Sequence, residues 1–177
     1  MTTPEKLCTY PYSAFDIDDL SAEERRAIIA NADAEYAYRG LSLIRNLSPL
    51  ERRQLKATLV ETASAKRACY ALAFTEGWSV DERHRLVSTV IEGDDAFLAC
   101  ETLIYVDELS EEERRKLKAI VVDKADESCA YAALTNIDDW NLFEKERLIV
   151  MANDPDPWGP FYRFANKVQN FINRLLF

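Results

Sequence analysis

Residues 109–117 read LSEEERRKL, and this phrase decides the fold because the chain repeats it. Close copies are LSAEERRAI at 20–28 and LSPLERRQL at 47–55, and looser copies are WSVDERHRL at 78–86 and WNLFEKERL at 140–148. The last four copies begin 31 residues apart, whereas the first precedes the second by 27. A catalytic motif is written once in a chain, so five copies indicate a repeated structural unit.

Each copy of the phrase carries the sequence signature of a helix start. In a capping box, a Ser hydroxyl accepts the backbone N–H of a Glu three residues later, and that Glu accepts the backbone N–H of the Ser. The pairs are Ser21–Glu24, Ser48–Glu51, Ser79–Glu82 and Ser110–Glu113, with Asn141–Glu144 as an imperfect fifth. A short polar link follows each of these helices, and Asp33, Ser64, Asp95 and Asp126 are placed to cap a second helix. We therefore predict about ten helices in antiparallel pairs.

The second helix of each unit carries small and apolar residues at i, i+3, i+4 and i+7, as in Ala65, Ala68, Cys69 and Leu72. A two-helix unit cannot bury such a face alone, so the units must stack on one another. We predict an all-α fold, a right-handed α-solenoid of about five two-helix repeats with a 31-residue period. The repeats are placed at 20–46, 47–77, 78–108, 109–139 and 140–168 of one domain spanning 1–177, with caps at 1–19 and 169–177.

This unit plan resembles the two-helix α-solenoids of the HEAT-like kind, over roughly residues 16–170. The unit is shorter than the tetratricopeptide repeat of about 34 residues, and it lacks the Trp, Gly and Pro pattern of that repeat. The resemblance implies protein binding along an extended surface. It carries over no functional residues, because it lies in the unit plan and not in a diagnostic motif.

The composition argues against several classes of protein. Lys and Arg number 22 against 31 Asp and Glu, so the formal charge is −9 and nucleic acid is an unfavourable partner. No apolar run approaches the roughly 18–20 residues that span a bilayer. The first residues, MTTPEKLCTYPYS, lack the basic and then apolar pattern of a secretory signal. We expect a cytoplasmic protein that does not enter a membrane.

Residues that carry chemistry are scarce. Four cysteines, Cys8, Cys69, Cys100 and Cys129, show no CxxC spacing and are accompanied by a single histidine, His84. We therefore expect free thiols, no metal site and no cofactor. His84 holds the register of Arg53, Arg115 and Glu146 in other repeats, which indicates a variable surface position and not a catalytic one. The chain has no Walker loop, dinucleotide fingerprint or GxSxG, so we expect that it is not an enzyme.

The outward side of the second helices is the predicted partner-binding face. At about 100° per residue, the registers that point away from the Ala column hold several aromatic residues. The face comprises Arg39, Leu43, Tyr70, Phe74, Phe97, Glu101 and Tyr105. Aromatic residues supply much of the energy at protein interfaces. The alternative is that stacking buries a wide arc of each helix, so that these rings belong to the core.

Three functions remain open on the sequence. The first is a non-catalytic adaptor, or an inhibitor or immunity-type protein, that binds another protein. The second is an acidic mimic of nucleic acid that blocks a DNA- or RNA-binding protein, although the interleaved basic residues weaken it. The third is a HEAT-like nucleic-acid-binding protein or enzyme that uses a basic column as an anion ridge, namely Arg25, Arg52, Arg83, Arg114 and Lys145. Pairing of that column with neighbouring acids along a solvated face is the simpler expectation.

Overall fold

The computed structural model describes residues 22–44 and 46–152, and the side chains of Ala22, Glu24, Ile28 and Leu43 are not described. Several predictions fall outside the described residues: the N-terminal cap at 1–19, Ser21 of the first capping box, Cys8, the second helix of the last repeat, and the C-terminal cap at 169–177.

The described residues form nine α-helices and no strand, so the predicted all-α class is confirmed. The helices are α1 (Ala22–Ala30), α2 (Ala34–Leu43), α3 (Pro49–Thr62), α4 (Ala65–Phe74), α5 (Val80–Gly93), α6 (Ala96–Tyr105), α7 (Glu111–Lys124), α8 (Glu127–Asn136) and α9 (Leu142–Ala152). The long helices α3, α5 and α7 have 14 residues each, and the short helices α2, α4, α6 and α8 have 10 each. No helix within the described ranges is both long and apolar enough to cross a membrane.

The predicted caps are confirmed at every described helix start for which they were proposed. Complete capping boxes join Ser48 to Glu51, Ser79 to Glu82 and Ser110 to Glu113. Asn141 and Glu144 exchange two bonds of the same kind, at 2.9 and 3.0 Å. Side chains of Asp33, Ser64, Asp95 and Asp126 cap the four short helices. These bonds satisfy backbone N–H groups that a helix start leaves without a partner.

Removing one of these caps tests their contribution to stability. The Ser110 hydroxyl accepts the Glu113 N–H at 3.3 Å, and Glu113 accepts the Ser110 N–H at 2.9 Å. We expect Ser110→Ala to lower the free energy of unfolding by about 0.5–2 kcal/mol, measured by urea denaturation. Ser88 lies exposed within α5, so Ser88→Ala should leave stability unchanged or slightly higher. Equal effects of the two changes would contradict a stabilising role for the cap.

The chain divides by compactness into two units, residues 1–63 and 64–177, with the division inside the predicted repeat 47–77. In the first unit, α3 packs against α2 and α1, and Leu55 and Leu59 of α3 are fully buried. A Cβ added at Gly40 would lie 2.9 Å from a Leu55 methyl carbon, so the absence of a side chain there permits the close approach of α2 and α3.

The second unit holds α4 to α9. Each short helix packs most closely on the long helix that follows it, as α4 does on α5, α6 on α7 and α8 on α9. The short helices α4, α6 and α8 also pack side by side, and α5 packs on α7. The core of the second unit is a column of fully buried residues from successive repeats: Ala68, Leu86, Val90, Ala99, Leu117, Val121, Ala130 and Leu148. Contacts between neighbouring and next-neighbouring helices are the pattern of a helical-repeat stack.

Candidate functional site

The aromatic registers of α4 and α6 lie together in the second unit. We call Tyr70, Phe74, Phe97, Glu101 and Tyr105 the second-helix face. Phe74 and Tyr105 are 43% and 46% exposed, and Tyr70 and Phe97 are partly buried. The centroids of the Phe74 and Tyr105 rings are 6.1 Å apart, with their planes inclined at 41°. Two large rings in contact with each other therefore remain open to solvent on adjacent helices.

Glu101 does not point away from the protein. It is only 6% exposed, so the outward direction predicted for its register is wrong. The cause is that α6 packs between α4 and α8, which enclose a wider arc of α6 than a helix with one neighbour would bury. Glu101 therefore follows the alternative interpretation, in which stacking of the helices buries a wide arc of each second helix.

The Glu101 carboxylate is buried without a partner. No described residue forms a hydrogen bond or an ion pair with it. Burial raises the pKa of Glu101 to about 7, because a charged carboxylate loses hydration when it is enclosed. Its neighbours include Cys69 of α4, and Tyr105 one turn further along α6. Burial raises the pKa of Tyr105, and the charge of Glu101 raises it further.

Exposed acids follow the ends of the three short helices in this unit. Glu76, Asp107 and Asp138 each come directly after the C-cap residue of α4, α6 or α8. None of these helices has a basic residue in its last turn. The carbonyl end of a helix carries partial negative charge, so the acids add to the negative potential at this edge. Phe74 and Tyr105 end α4 and α6, and they lie at that edge.

Cations of the chain itself lie at the other end of the second-helix face. Lys66 Nζ and Arg67 Cζ are each 5.7 Å from the centroid of the Tyr70 ring. No described Lys or Arg lies over the ring of Tyr105. The two ends of the face therefore differ, with basic groups at Tyr70 and acidic groups near Tyr105.

Arg39 and Leu43 belong to the first unit and are described separately from the second-helix face. Arg39 is exposed, and its Nε lies 2.8 Å from the Glu35 carboxylate one turn earlier in α2. An exposed ion pair of this kind contributes little to stability. Leu43 is the last residue of α2.

Three members of the predicted anion ridge form ion pairs within the chain. Arg25 Nε lies 3.6 Å from Glu51, and Arg83 pairs with Glu108. Arg114 binds Asp139 through two bonds of 2.6 and 3.0 Å, which hold the pKa of Asp139 well below its usual range. Arg52 and Lys145 form no ion pair among the described residues. The basic column is thus largely neutralised by carboxylates of the same chain.

Lys118 is a group that sequence reasoning missed. Its Nζ lies 3.0 Å from the Asp139 carboxylate and 5.0 Å from the centroid of the Trp140 ring. The ammonium is therefore held between a carboxylate and an aromatic face. The sequence places a carboxylate, Asp139, directly before an aromatic residue, Trp140, and this pair could have suggested a cation site. Lys118 lies 21 residues before Asp139, so sequence spacing alone does not connect it to them.

The remaining reactive residues are three cysteines in the core and a histidine that is partly exposed. Cys69, Cys100 and Cys129 are buried free thiols, as predicted for these three. Burial raises the pKa of Cys69 to about 12, so its thiol is protonated and unreactive at neutral pH. His84 Nδ1 lies 2.7 Å from Glu113 of the next capping box. The described residues contain no cluster of three potential metal ligands.

No family model, curated protein or solved structure significantly matches this chain.

Proposed function

We propose that this chain is a protein-binding module, an adaptor or an inhibitor, that binds a partner protein through the second-helix face of its second unit. The observation that carries the proposal is the exposed pair of Phe74 and Tyr105 beside the unpaired, buried carboxylate of Glu101. In this proposal the repeats form a right-handed, HEAT-like solenoid. The three buried free thiols favour a reducing compartment such as the cytoplasm.

A partner that covers the exposed rings and the Glu101 carboxylate gains binding free energy from both. Two rings in contact lose apolar exposure when a partner packs on them, and aromatic residues are enriched at binding hot spots. A carboxylate without a counter-charge, already stripped of most of its water, gains a favourable interaction if a partner supplies one. The two features lie on neighbouring helices, so one partner surface can contact both.

The other two functions receive less support. Ion pairs occupy Arg25, Arg83 and Arg114, which weighs against an anion ridge open to nucleic acid. The aromatic and partly buried character of the second-helix face is unlike the evenly spaced negative charge of a nucleic-acid mimic. Helix α9 also exposes Leu142, Phe143 and Val150, but none of its charged residues is buried.

The double variant Phe74→Ala, Tyr105→Ala tests the proposed face. We expect it to weaken partner binding by about a thousandfold, since hot-spot truncations cost about 2 kcal/mol each, or about 4 kcal/mol for the two. The measurement is quantitative capture of partners from the organism that encodes the chain, followed by titration of the captured protein. Phe143→Ala is the matched control, because Phe143 is 67% exposed on α9 and lies outside the face.

The control variant should capture the same partner as the unmodified chain, with unchanged affinity. Thermal denaturation of all three proteins checks that the double variant remains folded. A folded double variant that binds as tightly as the unmodified chain would place the binding surface elsewhere, and loss of binding in Phe143→Ala alone would move it to α9.

A further inference from the structure

We infer that the partner places an arginine side chain against Glu101, with its guanidinium between that carboxylate and the ring of Tyr105. This inference rests on the proposed function, and it specifies the chemistry of the partner. The juxtaposition that carries it is a carboxylate, 6% exposed and without a counter-charge, one helical turn from a half-exposed aromatic ring.

The Glu101 carboxylate lies close to a part of α6 that is open to solvent. Glu101 is 6% exposed, and Tyr105 one turn later is 46% exposed, so the carboxylate lies next to the open end of α6. A flat guanidinium can accept this geometry, because it donates two parallel hydrogen bonds to a carboxylate and stacks on an aromatic face.

The protein already holds a cation between a carboxylate and an aromatic ring elsewhere in the second unit. Lys118 lies 3.0 Å from Asp139 and 5.0 Å from the centroid of the Trp140 ring. A carboxylate, a cation and an aromatic ring are all supplied by the chain there. At the second-helix face, Glu101 and Tyr105 supply the carboxylate and the ring, and no described residue supplies the cation.

The charges around Glu101 and Tyr105 also favour a basic partner. The basic residues nearest to the face along α4, Lys66 and Arg67, lie over Tyr70, one turn before Phe74. Exposed Glu76 and Asp107 follow the two helix ends that carry Phe74 and Tyr105. Negative charge at this edge attracts a basic partner and repels an acidic one, which favours rapid and selective association.

The test uses a defined probe, the peptide acetyl-Gly-Gly-Arg-Gly-Gly-amide, and its counterpart with citrulline in place of arginine. Citrulline keeps the shape of arginine but carries no charge. Amide chemical shifts are followed at a pH of about 8, where most of Glu101 is ionised. We expect the arginine peptide to shift the amide signals of residues 74, 101 and 105, and to bind about five- to tenfold more tightly than the citrulline peptide.

Variants connect that difference to one carboxylate. Glu101→Gln should abolish the preference for arginine, whereas Asp107→Asn, which removes an exposed charge near the same edge, should retain most of it. Equal affinities for the two peptides, shifts confined to residues outside the face, or a preference that survives Glu101→Gln would each overturn the inference.

The inference and the proposed function can fail separately. If the captured partner requires Phe74 and Tyr105 but binds Glu101→Gln as tightly as the unmodified chain, the arginine contact is wrong and the face remains the binding surface. If the partner loses affinity for Glu101→Gln by about tenfold and the peptide preference disappears with it, both are supported.

Discussion

Replacing Glu101 by glutamine is expected to stabilise the protein at a pH of about 8, by about 1–3 kcal/mol. The carboxylate is buried without a counter-charge, and its pKa rises from 4.5 to about 7 on folding. A raised carboxyl pKa means that the folded state disfavours the ionised form. Glutamine has nearly the same shape and no charge, so it removes this unfavourable contribution.

The pH dependence has a definite sign. The folded state holds a proton on Glu101 more strongly than the unfolded state, so the unmodified chain loses stability as the pH rises from about 4.5 to about 7. The difference between Glu101→Gln and the unmodified chain should therefore be near zero below pH 4.5, grow through that interval, and level off above about pH 7. Urea denaturation at several pH values measures it.

A second carboxylate provides the control. Glu146 is exposed on α9, so Glu146→Gln should change stability by no more than about 0.5 kcal/mol at any of these pH values. A stabilisation by Glu101→Gln that does not vary with pH, or that appears equally in Glu146→Gln, would contradict a buried and unpaired charge at Glu101.

This prediction bears on function because a group that lowers stability is otherwise hard to explain within a core. The protein would be more stable with a hydrophobic or amide side chain at position 101. A carboxylate, however, offers a negative charge to a basic group of a partner. The expected variant is thus more stable and binds less well. A gain in stability together with a loss of affinity distinguishes a binding residue from one that only contributes to packing.

Leu148→Ala is expected to have the largest destabilising effect, about 2–5 kcal/mol of unfolding free energy. Leu148 of α9 is fully buried where α9 packs against α8. Truncation to alanine removes apolar contacts and leaves a cavity that the neighbouring helices fill only in part. The measurement is equilibrium denaturation in urea at neutral pH.

The same helix supplies a matched comparison for this change. Leu142 begins α9 and is 76% exposed, so Leu142→Ala should alter stability by less than about 0.5 kcal/mol. Similar losses in the two variants would show that α9 is not packed as described, because the substitution is the same and only the burial differs.

The helix starts were predictable because both partners of a capping box are close in sequence. Ser48, Ser79 and Ser110 each precede their Glu by three residues, and the geometry of one helical turn brings the two together. The alternation of long and short helices follows from the same spacing. Local signals of this kind do not depend on how the helices pack later.

The surroundings of Glu101 were not predictable from one helix. Its direction was derived from about 100° of rotation per residue, a rule that describes a helix with a single packed side. In the structure, α4 and α8 both contact α6. Pairing of the basic column with acids was the simpler expectation, but the particular pairs Arg83–Glu108 and Arg114–Asp139 were not identified, because 25 residues separate the partners. Their equal spacing in consecutive repeats was the available signal.

Photo-crosslinking in cells places the binding surface without assuming the identity of the partner. A benzoylphenylalanine at position 74, where the native ring is 43% exposed, should form an adduct with a partner protein. The same residue at position 143, where the native ring is 67% exposed on α9, should give no such adduct. An adduct at 74 that is lost in Tyr105→Ala is the expected result; an adduct at 143 alone, or none at 74, would contradict binding through the second-helix face.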